Sequence, residues 1–136
     1  MSKDQGVDIL GFDTVSGCEN AQPMELLAAD GMTKIGISLM VLGSHADVVK
    51  KHFKDKAKRF MTSSAMAEKQ GKQDQFTEKL VDAKETNEIE GAAVRVTGWV
   101  GVKQDFSQDL LKQALTKNPH WIEQVVKFSE NVGNFT

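Results

Sequence analysis

Thr33-Lys34-Ile35-Gly36-Ile37-Ser38-Leu39-Met40-Val41-Leu42, followed by Gly43-Ser44 and then Asp47-Val48-Val49, is where the hydrophobic period of this chain changes. From Thr33 to Leu42 the residues alternate, so Ile35, Ile37, Leu39 and Val41 share one face of a strand and Lys34, Gly36, Ser38, Met40 and Leu42 share the other. The first face reads as core. The second is small at its start and apolar at its end, which predicts cover over one end only. Past Gly43, the apolar positions Val48, Val49, Phe53, Ala57, Phe60, Met61 and Ala65 recur every three or four residues, the period of a helix with one buried stripe. A strand that feeds a long helix sets the class as α+β, mainly α.

Working upstream, Met24 to Ala29 is a short apolar run, and Asp30-Gly31 is a favoured two-residue hairpin turn, so residues 22–42 read as a β-hairpin. Residues 1–21 scatter Val7, Ile9, Leu10, Phe12 and Val15 among Gly, Asp and Ser without a sustained period, which predicts a loosely ordered arm. The single cysteine, Cys18, lies in Ser16-Gly17-Cys18-Glu19-Asn20 and reads as a free, solvated thiol in a reducing compartment.

Downstream, Ser44 is the expected N-cap of a helix over about 44–70, with Asp47 favouring the positive end of its dipole. Gly71 ends that helix, and a second is expected over 73–97, with Gly91 a weak point inside it. Ser107 can cap a short helix over 107–117. Asn118-Pro119 stops it and starts a last helix to about 131, since proline is tolerated in a first turn. The expected architecture is one domain over 22–136, a β-hairpin packed on a long helical hairpin and followed by two short helices.

The 136 residues are 40% hydrophobic and 26% charged with net charge −2, the balance of an ordinary soluble protein. A chain of this length can bury about two-thirds of its unfolded surface. No run approaches the roughly 18 apolar residues of a bilayer span, and Met1 to Gly6 lacks the apolar core of a signal peptide, so a cytoplasmic protein with no membrane partner is expected. Charge is segregated along the chain. Between Ser44 and Lys72, eight basic residues face three acids, whereas between Gln73 and Glu90 the acids prevail, six against two. That opposition favours an antiparallel pair of helices, although each exposed ion pair adds well under about 1 kcal/mol. Six cations from Lys50 to Arg59 also suit phosphate contacts, but Lys50, Lys51, Lys54 and Lys58 fall on the side away from Val49, Phe53 and Phe60, where a solvated face belongs, and no nucleic-acid partner is expected.

No catalytic, cofactor or metal site is legible. His45 and His52 lie seven apart on the expected helix without a second ligand motif, and His120 stands alone. Gly43-Ser44 lacks the remainder of a phosphate loop, and no serine sits in a nucleophile motif. The aromatic residues Trp99, Phe106, Trp121, Phe128 and Phe135 concentrate in the last third and are the candidate partner-binding residues, their ordinary alternative being to anchor the short helices. Phe135, after Gly133-Asn134, is either a tether or an exposed anchor. A lone hairpin is marginal in water, so the strand carrying Ile35, Ile37, Leu39 and Val41 is the candidate for self-association through a free edge.

One longer pattern reaches a specific role. An aliphatic pair before Gly98-Trp99, then Phe106-Ser107, Leu110-Leu111, Asn118-Pro119, Trp121-Ile122, Gln124-Val125-Val126 and a closing Asn134-Phe135 resembles the end of tail assembly chaperones of tailed phages. The Asp30-Gly31 turn, the following strand and the Lys-rich helix to Arg59 add a weaker likeness. The resemblance implies a non-enzymatic protein of the host cytoplasm that binds the tape measure protein and keeps it soluble until tail tube subunits displace it. The rival expectation is a structural virion protein, a tail or head-tail junction subunit that oligomerises through its hairpin.

Overall fold

In the computed structural model, which describes residues 6–136, the chain is α+β and mainly helical. The expected looseness of residues 1–5 lies outside the described residues. Strand β1 (Gln22–Leu27) and strand β2 (Lys34–Val41) form the hairpin, followed by helices α1 (Asp47–Gln70) and α2 (Gln73–Ala93). A third strand, β3 (Val96–Val100), then precedes helices α3 (Gln108–Lys117) and α4 (Pro119–Glu130). The sheet is antiparallel in the order β1-β2-β3, so β2 lies in the middle.

The third strand corrects the expectation of a helix to residue 97. Val96-Thr97-Gly98-Trp99-Val100 is β-branched and aromatic, which suits a half-buried pleated surface better than a helix end. Its pairing with Ser38 to Val41 supplies the long-range hydrogen bonds that propensity alone could not weigh. Gln108 secures the corner by donating its Nε2 hydrogens to the Ala93 and Val96 carbonyls, both at 3.0 Å. Gly91 stays within α2. Its lack of a side chain lets Phe53 approach, a Cβ there lying 3.3 Å from the ring.

The hairpin tip is longer than a two-residue turn. Ala28 N–H donates to the Thr33 carbonyl at 2.8 Å, and the Asp30 carboxylate accepts the Met32 and Thr33 amides. These bonds, with the Thr33 hydroxyl, hold the Asp30 carboxyl down to about 2.

The main core joins Leu26, Leu39, Val41 and Val96 of the sheet to Ala92 and Ala93 of α2, Leu111 and Leu115 of α3 and Val125 of α4. The sheet therefore rests on the short helices and on the base of α2, not along the long pair. At the frayed end of β1, the Gln124 side chain stands in for a strand. Its Oε1 accepts Leu27 N–H at 2.9 Å and its Nε2 donates to the Leu27 carbonyl at 3.0 Å.

A second cluster corrects the reading of the arm. Cys18 is fully buried with Leu42, Ala46, Val49 and Phe135, so the thiol is not solvated and residues from Ser16 onward are tied to the body. Gly43 is required by this packing, because a Cβ there would stand 2.3 Å from Cys18 Sγ and 2.9 Å from its Cα. The arm also supplies the cap of α1. Glu19 accepts the Asp47 amide, whereas Ser44, the expected cap, lies before the helix and bonds to Ser129. His45 likewise precedes α1 and shares no helix face with His52. Ser107 caps α3 as expected, accepting Leu110 N–H at 3.1 Å.

Two outcomes follow for this cluster. Native Cys18 should resist an aqueous thiol reagent and react at the rate of global unfolding, which a denaturant series of labelling rates measures. Gly43→Ala should lower stability by about 1–3 kcal/mol through overpacking, read from chemical denaturation.

Candidate partner-binding surface

Polar groups at the centre of the molecule fix how the long helices leave the body. Ser129 is fully buried on α4. A hydroxyl has one hydrogen and two lone pairs. Ser129 gives its hydrogen to the Leu42 carbonyl (2.8 Å) and accepts from Arg95 Nε (3.0 Å), which leaves Ser44 Oγ as the donor in the 3.1 Å Ser44–Ser129 contact. Backbone bonds from Leu42 N–H to the Arg95 carbonyl (2.7 Å) and from Ser44 N–H to the Ser129 carbonyl (2.9 Å) complete the knot. Arg95 is 6% exposed, donates through Nη1 to the Gly91 carbonyl, and lies 5.0 Å from the centroid of the Phe53 ring. Burial lowers its pKa from the ordinary guanidinium value, with Glu130 opposing.

From this base, α1 and α2 project as an antiparallel pair with almost no third layer. Of the expected apolar stripe on α1, only Val49 is buried. Val48, Phe53, Phe60 and Met61 are exposed, as are Met66 on the same helix and Leu80 and Val81 on α2. The stripe expected to be core is therefore largely open. Phe60 and Phe76 touch across the pair at 5.6 Å between centroids, and Phe76 and Leu80 line two cavities along it. One cavity, of about 530 Å³, is bounded by Lys56, Arg59, Phe60 and Glu90. The other, of about 440 Å³, is bounded by Met66, Lys72 and Lys79.

The opposed charges of the two helices meet in one place among the described residues. Lys56 Nζ lies 2.8 Å from Glu90 and also reaches Asn87. That hydrogen bond holds the Glu90 carboxyl below its ordinary value. Burial pushes the His52 imidazole down, reinforced by Lys56, and its Nε2 has no partner among the described residues. Lys50, Lys51, Lys54 and Lys58 remain on the open face.

The aromatic candidates divide into two packed groups and do not form one exposed surface. Trp99 and Phe106 meet edge to face at 5.0 Å, and Trp99 Nε1 donates to the Gln104 carbonyl at 2.9 Å. Together with Trp121 and Phe128 they pack against the main core. Phe135 is buried and meets Phe128 at 5.7 Å, so it is the tether of the two alternatives. The self-association candidates are also engaged. Leu39 and Val41 are core, Ile37 packs beside them, Ile35 is 37% exposed, and both edges of β2 are paired. What sequence reading missed is that the exposed apolar side chains lie on the long helices. The signal was the low density of large apolar residues between Phe60 and Ile89, too few for a helix pair with a core on either side.

Among the described residues, no group of three or more His, Cys, Asp or Glu side chains is placed to hold a metal ion, and no helix is long and apolar enough to cross a membrane. No protein-family model, curated protein or solved structure matches the chain.

The Lys56–Glu90 pair carries a pH signature. A carboxyl depressed in the folded state contributes stability that is present above its unfolded value, 4.5, and is lost as pH falls through the folded value. In Lys56→Met, the Glu90 titration midpoint should rise toward 4.5, measured by carboxylate-detected NMR. Ser129→Ala should cost about 1–3 kcal/mol, because it strips a partner from buried Arg95 and from the Leu42 carbonyl together.

Proposed function

We propose that this protein is a tail assembly chaperone of a tailed phage, a non-enzymatic binder that holds helical segments of the tape measure protein in the host cytoplasm. The observation that supports the reading is the α1–α2 pair, whose Phe60, Met61, Met66, Leu80 and Val81 remain exposed among the described residues. An amphipathic client helix laid along the pair would bury its own stripe against them, in the helix-in-groove mode. Covering a large apolar side chain is worth roughly 1.5–3 kcal/mol. Unbranched, polarizable methionines adapt to successive stripes of different shape, which suits a long client without one fixed sequence. The cations of α1 supply a rim for acidic residues beside such a stripe. The choice of tape measure protein as client, and of tail tube subunits as its competitor, rests on the sequence pattern from Val94 to Phe135.

The contact residues in this proposal are those of the long helices, with Trp99, Phe106, Trp121, Phe128 and Phe135 setting the body that presents them. Co-expression with the tape measure protein of the same phage should raise the soluble fraction of that client. Met61→Ser with Val81→Ser should abolish the gain while leaving thermal unfolding within a few degrees of the parent, since both side chains are 70% exposed. Unchanged client solubility with the parent protein would sink the proposal. Stoichiometric copies in purified particles, measured by mass spectrometry, would replace it with a structural tail subunit.

A further inference from the structure

Within the body, between the sheet and the two short helices, lies a cavity of about 150 Å³. Leu26 and Leu39 of the sheet and Leu111 of α3, each 1% exposed, make its deep wall. Half-buried Trp99, Leu110 and Trp121 line it nearer the surface, where Gln104 is exposed. None of the residues that line it is charged. Close-packed interiors leave few voids larger than a water molecule, so this space departs from the packing of the core around it.

The two indoles at the cavity differ in their hydrogen bonds. Trp99 Nε1 donates to the Gln104 carbonyl at 2.9 Å, whereas Trp121 Nε1 is buried and has no acceptor among the described residues. An indole nitrogen can only donate, and a buried donor left unpaired is costly. A water molecule would need roughly two to four polar partners, which walls of leucine and tryptophan do not provide; apolar cavities of about this volume stay dry and take up benzene. An ion would lose its hydration with no charged side chain in the lining to compensate it. The chemistry that fits is a neutral single-ring molecule bearing one oxygen that accepts a hydrogen bond.

We propose that the body binds such a molecule. Its ring lies against Leu39, Leu111 and Trp99, and its oxygen accepts the hydrogen of Trp121 Nε1. Cavity volume limits the ligand to about the size of benzene, and the unpaired indole hydrogen selects for the oxygen. The walls come from the sheet, from α3 and α4 and from the loop of Val102 and Gln104, so an occupant joins the sheet to both short helices. The site involves no residue of the long helices and holds whether or not a client binds there.

Titration of the full, isotope-labelled chain with cyclohexanone, followed by NMR, tests it. The chain has two tryptophans and therefore two indole N–H signals. That of Trp121 should move downfield and saturate, and the ketone protons should show Overhauser contacts to the Leu39 and Leu111 methyls. Methylenecyclohexane has the same shape without the acceptor, and it should give the methyl contacts without the downfield movement. Ala114→Leu, which adds bulk to the cavity wall, should weaken ketone binding by roughly tenfold or more, the scale of overpacking a filled site. Val102→Phe should do the same from the loop side. Failure of both ligands to give a saturable response would overturn the proposal, as would equal movement of the Trp121 signal by both, or ketone contacts outside this cavity. A long-lived water on the Trp121 N–H that the ketone does not displace would overturn it too.

Discussion

The Ser129 hydroxyl is the point on which the remaining architecture depends. It lies where the end of β2, the turn after α2, the start of α1 and the last turns of α4 converge, and every hydrogen and lone pair it has is committed. Apolar packing alone would leave the angle between the body and the long helices soft, because the α1–α2 pair touches the body only at its base. Directional bonds through Ser129 set that angle. Arg95 extends the constraint outward, linking α2 through the Gly91 carbonyl and α1 through the Phe53 ring. Buried polar networks of this kind are stable only when complete, so the loss of one hydroxyl disturbs four elements at once.

The molecule thus divides into a packed body and a thinly packed projection. In the body, sheet and short helices share a conventional core, pinned at its edges by the side-chain amides of Gln108 and Gln124. In the projection, two helices meet with little beside them, and Phe76 and Leu80 both line the two cavities along the pair. Isolated helix pairs gain little from propensity and draw most of their stability from packing of an apolar face. Here that face is mostly without a partner within the chain. Local opening should therefore concentrate in the projection.

Sequence patterning went far in this chain because period is a local property. The hairpin, the long helical pair, the Ser107 cap and the break at Asn118-Pro119 all follow from spacing and from the special residues at their ends. What escaped depended on contacts distant in sequence. Val96 to Val100 reads as a helix end until Ser38 to Val41 is available to pair with it. Cys18 reads as solvated until Gly43 and Phe135 close over it, 25 and 117 residues downstream. Phe53 and Phe60 read as core because an amphipathic stripe ordinarily finds cover in its own chain; periodicity states which face is apolar and says nothing of what will cover it. The aromatic cluster of the last third misled in the opposite sense. Large aromatic side chains signal a need for burial, and α3, α4 and β3 satisfy that need internally.

An uncovered stripe and a satisfied aromatic cluster are two consequences of one allocation of apolar residues. The rings are spent on making the small body rigid, so the helices that leave it can be poor in core and still hold a defined direction. The client binding proposed above would require no unfolding of such a surface, and an amphipathic segment laid on it would add packing that the projection lacks. The same segment could be displaced by a competitor without disturbing the body, because no part of the body's own core would be exchanged. Leu80 lines the cavity beside Arg95 as well as the two along the helix pair, so a single exposed side chain joins the walls of all three and ties the apolar surface of the projection to the body.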